Sequence, residues 1–369
     1  MSSFYITPND IGSLHSFIHD INKNVAVKSI LLFMAFEQRF SEEELTPVLN
    51  SCVKPIIGGV FPEVIFEGTR KKTGVLIISL PFHLNTQLIN LADSPKIITK
   101  ELKKLEIETF DVSNGLFVFY DAISKTKNNL TKSLYNFFGT IPTYIGGGAG
   151  SLNFTQFPCI IDNNGFHRNA SVIGLAHHHI AIGASHGWKS ISNPLKVTKS
   201  NGNEIISINW KPAFTVYKEI VEKHSNKKFE DHNFFDIAKS YPLGISKMDA
   251  EKIVRDPFKV VGTSIHFIDA VSEGEYIEVL NGNIESLLKG ARDSKNKAIE
   301  NQTFLIQQEF IFCVDCISRA LFMDTHFHKE IEVMNTETKI SGILSIGEIA
   351  NYHDAYLEIY NKTNVIAIW

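Results

Sequence analysis

The residues best equipped for chemistry are His177-His178-His179 and His186-Gly187-Trp188, downstream of a glycine run, Gly146-Gly147-Gly148-Ala149-Gly150. An imidazole donates or accepts near neutral pH, and an indole offers a flat wall with one N–H. With glycine between them, His186 and Trp188 suit a small planar or carboxylate-bearing ligand. Their plainer reading is a corner in which Trp188 plugs the core. The glycine run permits close backbone approach and positive φ. Its N–H groups at Gly146, Gly147 and Gly148 could cradle a carboxylate or phosphate, or the run could serve a tight turn or strand crossing. No Gly-Lys-Ser/Thr follows it and the G-x-G-x-x-G spacing is absent, so it is neither a P-loop nor a dinucleotide fingerprint.

If His177 to His179 form a strand, His177 and His179 share one face. That pair could ligate zinc or iron or serve a haem; the alternative is histidines satisfied by hydrogen bonds within a sheet. Cys313 and Cys316 have dithiol spacing, yet on a strand their sulfurs point to opposite faces, which favours buried fillers. His326 and His328 open a helix and diverge on it. Arg319 follows a strand end and could pair with Glu348 or a ligand carboxylate; the default is a solvated arginine. No Ser-His-Asp or Cys-His order stands out, and nothing in the chain demands enzymatic activity.

These residues hang on a repeated pattern. The strand from Ser29 to Phe36 leads to a helix opening at Ser41, with Glu44 at capping-box spacing, and then to Ile57-Gly58-Gly59. A second strand from Gly115 to Tyr120 leads to a helix near 131–138 and to Ile145-Gly146-Gly147. A third, from Glu309 to Val314, leads to a helix near 325–334 and to Ile340-Ser341-Gly342. Strand, helix and glycine-bearing strand in that order predict a βαβ-like unit used three times. Helices ending near Leu105 and covering Ile284 to Ala298 precede the second and third copies. Lys199-Ser200-Asn201-Gly202-Asn203 reads as a hairpin turn, Ala213 to Lys223 as an amphipathic helix, and Val365 to Trp369 as a closing strand.

At 369 residues the chain can hold two cores or one large one. Its 36 basic and 40 acidic residues give a net charge of -4, which argues against a nucleic-acid binder held by phosphate contacts. The apolar runs have strand length, too short to span a bilayer, and no export signal opens the chain. Four cysteines are too few for a disulfide framework, so the expected location is cytoplasmic.

The segments Ile56-Ile57-Gly58-Gly59-Val60, Gly139-Thr140-Ile141-Pro142 leading into the glycine run, and Gly183 to Trp188 resemble, in order, the first half of the FIST family. Cys316-Ile317-Ser318-Arg319, Gly342 to Ile349 with its Gly347-Glu348 pair, and Tyr360-Asn361-Lys362-Thr363 resemble the second half. Asn361 and Thr363 match the family's His-Asn-Gln-Thr, while Tyr360 and Lys362 depart. Ser151 stands where an acidic residue often follows the glycine run.

The resemblance implies a cytoplasmic sensory module that binds a small molecule, amino acids being the proposed class. It also implies action on a separate signalling partner such as a kinase or cyclase, since both halves fill this length. One branch of the family binds haem and senses nitric oxide, which makes haem the alternative cofactor. The expected architecture is α+β: two mixed-sheet halves, 1–195 and 210–369, with helices on the sheets. Gly146, Gly147, Gly148, His186, Trp188, Arg319, Glu348 and Asn361 are the expected ligand residues. In that scheme Arg319 clamps a carboxylate, Glu348 holds an amine, and the aromatic residues select a side chain.

Overall fold

The computed structural model describes residues 2–7, 10–37, 39–105, 114–230, 232–246, 252–302, 310–335, 337–351 and 357–369. The fold is α+β. Its three βαβ copies are present in the predicted order. Strand Ser29–Ala35 pairs in parallel with Ile56–Phe61, Gly115–Asp121 with Thr143–Ala149, and Ile311–Cys316 with Ser341–Ser345. Of the third predicted strand, Glu309 lies outside the described residues. In every copy the leading strand also takes an antiparallel neighbour, respectively Val75–Leu80, Ala170–Ala176 and Asn364–Ile368.

The repeated glycine has one physical cause. Gly58 lies opposite Leu32, Gly146 opposite Val118 and Gly342 opposite Cys313. A Cβ at these glycines would stand 1.8, 1.8 and 1.9 Å from the carbonyl oxygens of those partners. The parallel strands approach too closely for any side chain, so glycine is obligatory there. Leading-strand phenylalanines from the three copies then share one core: Phe33 lies 5.0 Å from Phe119 and 5.5 Å from Phe312, ring centre to ring centre.

Local signals are realised as well. Helix Glu42–Asn50 opens on a full capping box: Glu44 N donates to Ser41 Oγ, and Ser41 N donates to Glu44 Oε2 at 2.8 Å. Strands Leu195–Asn201 and Glu204–Ile208 form the expected hairpin, and helix Ala213–Ser225 follows. Helix Ile284–Glu300 precedes the third copy, and strand Asn364–Ile368 carries the closing residues into a sheet.

The sheets do not respect the halves of the sequence. Strand Glu63–Phe66 pairs with Ser341–Ser345, Glu348–Ala350 with Thr143–Ala149, and Ala181–Ser185 with Asn364–Ile368. Three of the four sheets therefore mix strands from both halves, the largest of them built from residues 189–281.

Candidate functional site

A cavity of about 270 Å³ opens beyond the carboxyl ends of the second and third βαβ copies. In open α/β sheets, ligands bind at this end of the strands. Leu152 and Phe154 come from the turn after Thr143–Ala149; Cys316 ends strand Ile311–Cys316, and Ile317 and Ser318 follow it; Ile346 and Gly347 follow Ser341–Ser345. Phe235, Asp256, Phe258, Ile268, Leu321 and Asn361 complete the wall. Phe154, at φ 53°, stacks on Phe258 with ring centres 6.4 Å apart.

The apolar wall carries two fixed polar side chains. Asp256 Oδ2 is 3.3 Å from Lys362 Nζ, and Asn361 Nδ2 donates to Asp269 Oδ2 at 2.7 Å. Asp269 in turn pairs with Lys127 at 2.7 Å. Burial alone would raise the Asp269 carboxyl, but Lys127 and Arg255 outweigh it and hold the group below the usual carboxylate range. The remaining oxygens, Asp256 Oδ1 and Asn361 Oδ1, are buried and have no hydrogen-bond partner among the described residues. The Cys316 thiol is pushed well up by burial and then by the neighbouring Glu348, so the cavity presents a thiol and not a nucleophilic thiolate.

Of the expected ligand residues, Asn361 is the one brought to this cavity. His186, Trp188 and Arg319 do meet, but as packing. Gly187 has φ 78°, and a Cβ there would fall 2.1 Å from the Ser286 carbonyl oxygen. The corner is thus pressed against helix Ile284–Glu300, and His186 Nδ1 accepts from Trp188 N at 2.8 Å. Trp188 is buried, donates from Nε1 to the Lys362 carbonyl at 3.2 Å and sits edge-on to Phe322. The corner reading is the one realised.

The carboxylate-clamp role assigned to Arg319 is corrected by its surroundings. Arg319 is fully buried on helix Ile317–Met323, which begins directly after the strand. Nη1 donates to the carbonyls of His186 at 2.6 Å and Lys362 at 3.1 Å, Nη2 to Leu287 at 3.1 Å, and Nε and Nη2 to Glu330. Asp315 Oδ1 lies 3.2 Å from Nε. The fork is saturated and has no donor to offer a ligand.

Glu348 is also spent internally. Oε1 lies 2.8 Å from Ser345 Oγ and Oε2 accepts from Thr363 N. Burial, with nearby Asp315, pushes its carboxyl well above the usual range; enclosed and engaged by Ser345 and Thr363, it does not face the cavity as a counter-ion for an amine. The glycine run is a seam and not a cradle. Gly146, Gly147 and Gly148 lie inside a strand, Gly148 N donates to the Gly347 carbonyl at 2.8 Å, and a Cβ on Gly148 would meet the Ile346 carbonyl oxygen at 2.2 Å.

His177, His178 and His179 follow strand Ala170–Ala176 in a turn, so the shared-face geometry that made His177 and His179 a ligand pair is not formed. His178 stacks on Phe82 with ring centres 4.4 Å apart. Among the described residues no group of three His, Cys, Asp or Glu side chains is arranged to hold a metal ion. Nor is any described helix long and apolar enough to cross a membrane.

Sequence reasoning passed over Leu152, Phe154, Asp256 and Lys362. Asp256 is one of 40 acidic residues with nothing local to mark it. The available signal was positional: Leu152 and Phe154 follow the glycine run directly, and Lys362 departs from the family pattern beside Asn361.

Comparison with known proteins agrees with this architecture. The FIST N domain matches residues 28–211 and the FIST C domain matches residues 213–351. The chain belongs to the FIST family, whose domains are sensory, signal-transduction modules. It is also similar to an uncharacterized protein of Methanocaldococcus jannaschii, 22% identical over 342 residues. That match covers 84% of this chain and 64% of the relative, so the chain spans less than two thirds of the relative's length.

Proposed function

We propose that this chain is a cytoplasmic sensor whose small-molecule ligand occupies the cavity beyond the second and third βαβ copies. The carrying observation is the cavity itself, which lies beyond the carboxyl ends of two βαβ copies and has a largely apolar wall interrupted by Asp256, Ser318 and Asn361. A cavity with a few convergent polar groups is the usual form of a ligand site. The matching ligand is a small metabolite with an apolar body and a polar head, a description that covers amino acids.

A route for output is present. Lys362 holds Asp256 through its Nζ, lies 5.1 Å from the Trp188 ring centre, and accepts from Arg319 and Trp188 through its carbonyl. A ligand that engages Asp256 differently in two arrangements of this cluster shifts their populations. A separate kinase or cyclase would read the outcome.

The test is a melting-shift screen of purified protein against a panel of small metabolites, repeated on Leu321→Trp. Leu321 is partly exposed on the cavity wall, so the indole fills the cavity without entering the core. A stabilising compound whose effect disappears in Leu321→Trp supports the reading. A shift that survives unchanged, or no shift with any compound, sinks it.

A further inference from the structure

We infer that a groove between helix Asn128–Phe138 and Arg255 binds a small organic acid, whose acid group takes the place of Glu358 on the Arg255 guanidinium. This is a second site: it shares no lining residue with the cavity described above.

Arg255 closes the short strand Ile253–Arg255, and its side chain is 6% exposed. Main-chain carbonyls fix most of its fork. Nε donates to Ala270 at 3.1 Å, and Nη1 donates to Val254 at 3.2 Å and to Ile359 at 2.9 Å. Nη2 is left over. The Glu358 carboxylate lies 3.6 Å from it, beyond hydrogen-bond length. The Asp315 oxygens are sealed without a hydrogen bond, whereas Nη2 keeps open surface on the groove. A guanidinium nitrogen with two spare N–H groups, held in a fixed orientation, is a receptor for a carboxylate or phosphate.

Glu358 is an internal stand-in that a ligand can displace. Its side chain is 33% exposed and can swing into solvent, and a partly exposed pair at this distance contributes little. What stays behind favours an anion. Asp269 is compensated by Lys127 at 2.7 Å and bonded by Asn361, and Glu275 accepts from Ser272 N at 3.3 Å. Asn128, Lys132 and Asn136 recur at helical spacing, so they share the face turned to the groove. The exposed Lys132 adds a second cation, and the two amides with the Ser272 hydroxyl can bond hydroxyl groups. The volume of about 520 Å³ is that of a metabolite site, roughly 300–1,000 Å³. The matching ligand is a small hydroxylated acid, either a carboxylate or a phosphate ester.

The experiment titrates gluconate, glucose-6-phosphate and glucose into the full chain by calorimetry at low salt. At least one of the two acids is expected to bind at least about tenfold tighter than glucose, and the tighter one identifies the head group as carboxylate or phosphate. In Glu358→Gln that acid is expected to bind about three- to fivefold tighter, because the internal competitor is gone, with glucose unchanged. Arg255→Gln is expected to lose the preference for acids; should it fail to fold, the partly exposed Glu358→Gln decides. Equal affinity for glucose and both acids, no binding of either acid, or an acid affinity that Glu358→Gln leaves unchanged or lowers overturns the inference.

Discussion

Arg319 Nη1 donates a 2.6 Å hydrogen bond to the backbone carbonyl of His186, 133 positions away in the chain. The bond ties a corner of the FIST N region to a helix of the FIST C region within one sealed polar cluster. Breaking such a cluster from one side leaves Glu330 and Asp315 as uncompensated buried acids, a loss of about 3–5 kcal/mol. Arg319→Met is expected to lower unfolding stability by that amount in urea titrations. Arg319→Lys recovers little, because one ammonium cannot serve the carbonyls of His186, Lys362 and Leu287 together with Glu330.

Stability should respond to pH through Glu348. Burial raises its folded pKa well above the unfolded value of about 4.3. Between those two values the folded state keeps a proton that the unfolded chain has released. The contribution is thus fully present below the unfolded pKa and is lost as pH rises toward the folded one. Glu348→Gln removes this dependence. Relative to wild type, the variant gains stability between about pH 5 and about pH 8, by up to about 1.4 kcal/mol per pH unit. Denaturant titrations at both pH values measure it.

The seam glycines give a graded series. Gly58→Ala, Gly146→Ala and Gly342→Ala each drive a methyl into a neighbouring carbonyl, and each is expected to cost about 3 kcal/mol or more, the upper end of overpacking. Gly202→Ala, at a hairpin tip with φ 61° and open space around it, is expected to cost only the left-handed strain of about 1–2 kcal/mol. Thermal melts rank the four.

Trp188 should report ligand binding. Trp210 is 80% exposed and Trp369 is buried in the aromatic core, whereas Trp188 lies beneath the Lys362 that holds Asp256. A compound from the screen is expected to change tryptophan emission in the wild type and not in Trp188→Phe. An equal change in both would place the response elsewhere.

Haem binding has its own readout. No histidine is among the described residues lining the cavity, and His178 is stacked on Phe82. Protein purified from haem-replete cells is expected to show no Soret band; a band lost on replacing His177 or His179 would reverse this.

What the sequence made legible was local or repeated. Ser41 and Glu44 announced a capping box, Asn201-Gly202 a hairpin, and three glycines a strand pairing that only a missing side chain permits. The helix at Ile317 was hidden because Cys316 caps it without a side-chain bond and no breaker separates strand from helix. Arg319 was rightly placed beside His186 and wrongly given a ligand, since its acceptors are largely main-chain carbonyls that no motif encodes. Asp256 and Asn361 meet at the cavity through tertiary packing alone, and of the two only Asn361 carried a family pattern.

The interleaved sheets also set the order in which the nascent chain can be completed. When residue 211 leaves the ribosome, the edges at Glu63–Phe66, Thr143–Ala149 and Ala181–Ser185 still lack partners supplied only by residues 341–345, 348–350 and 364–368. Open edges of this kind invite pairing with the wrong chain. Translation speed and chaperone supply should therefore affect the yield of this protein.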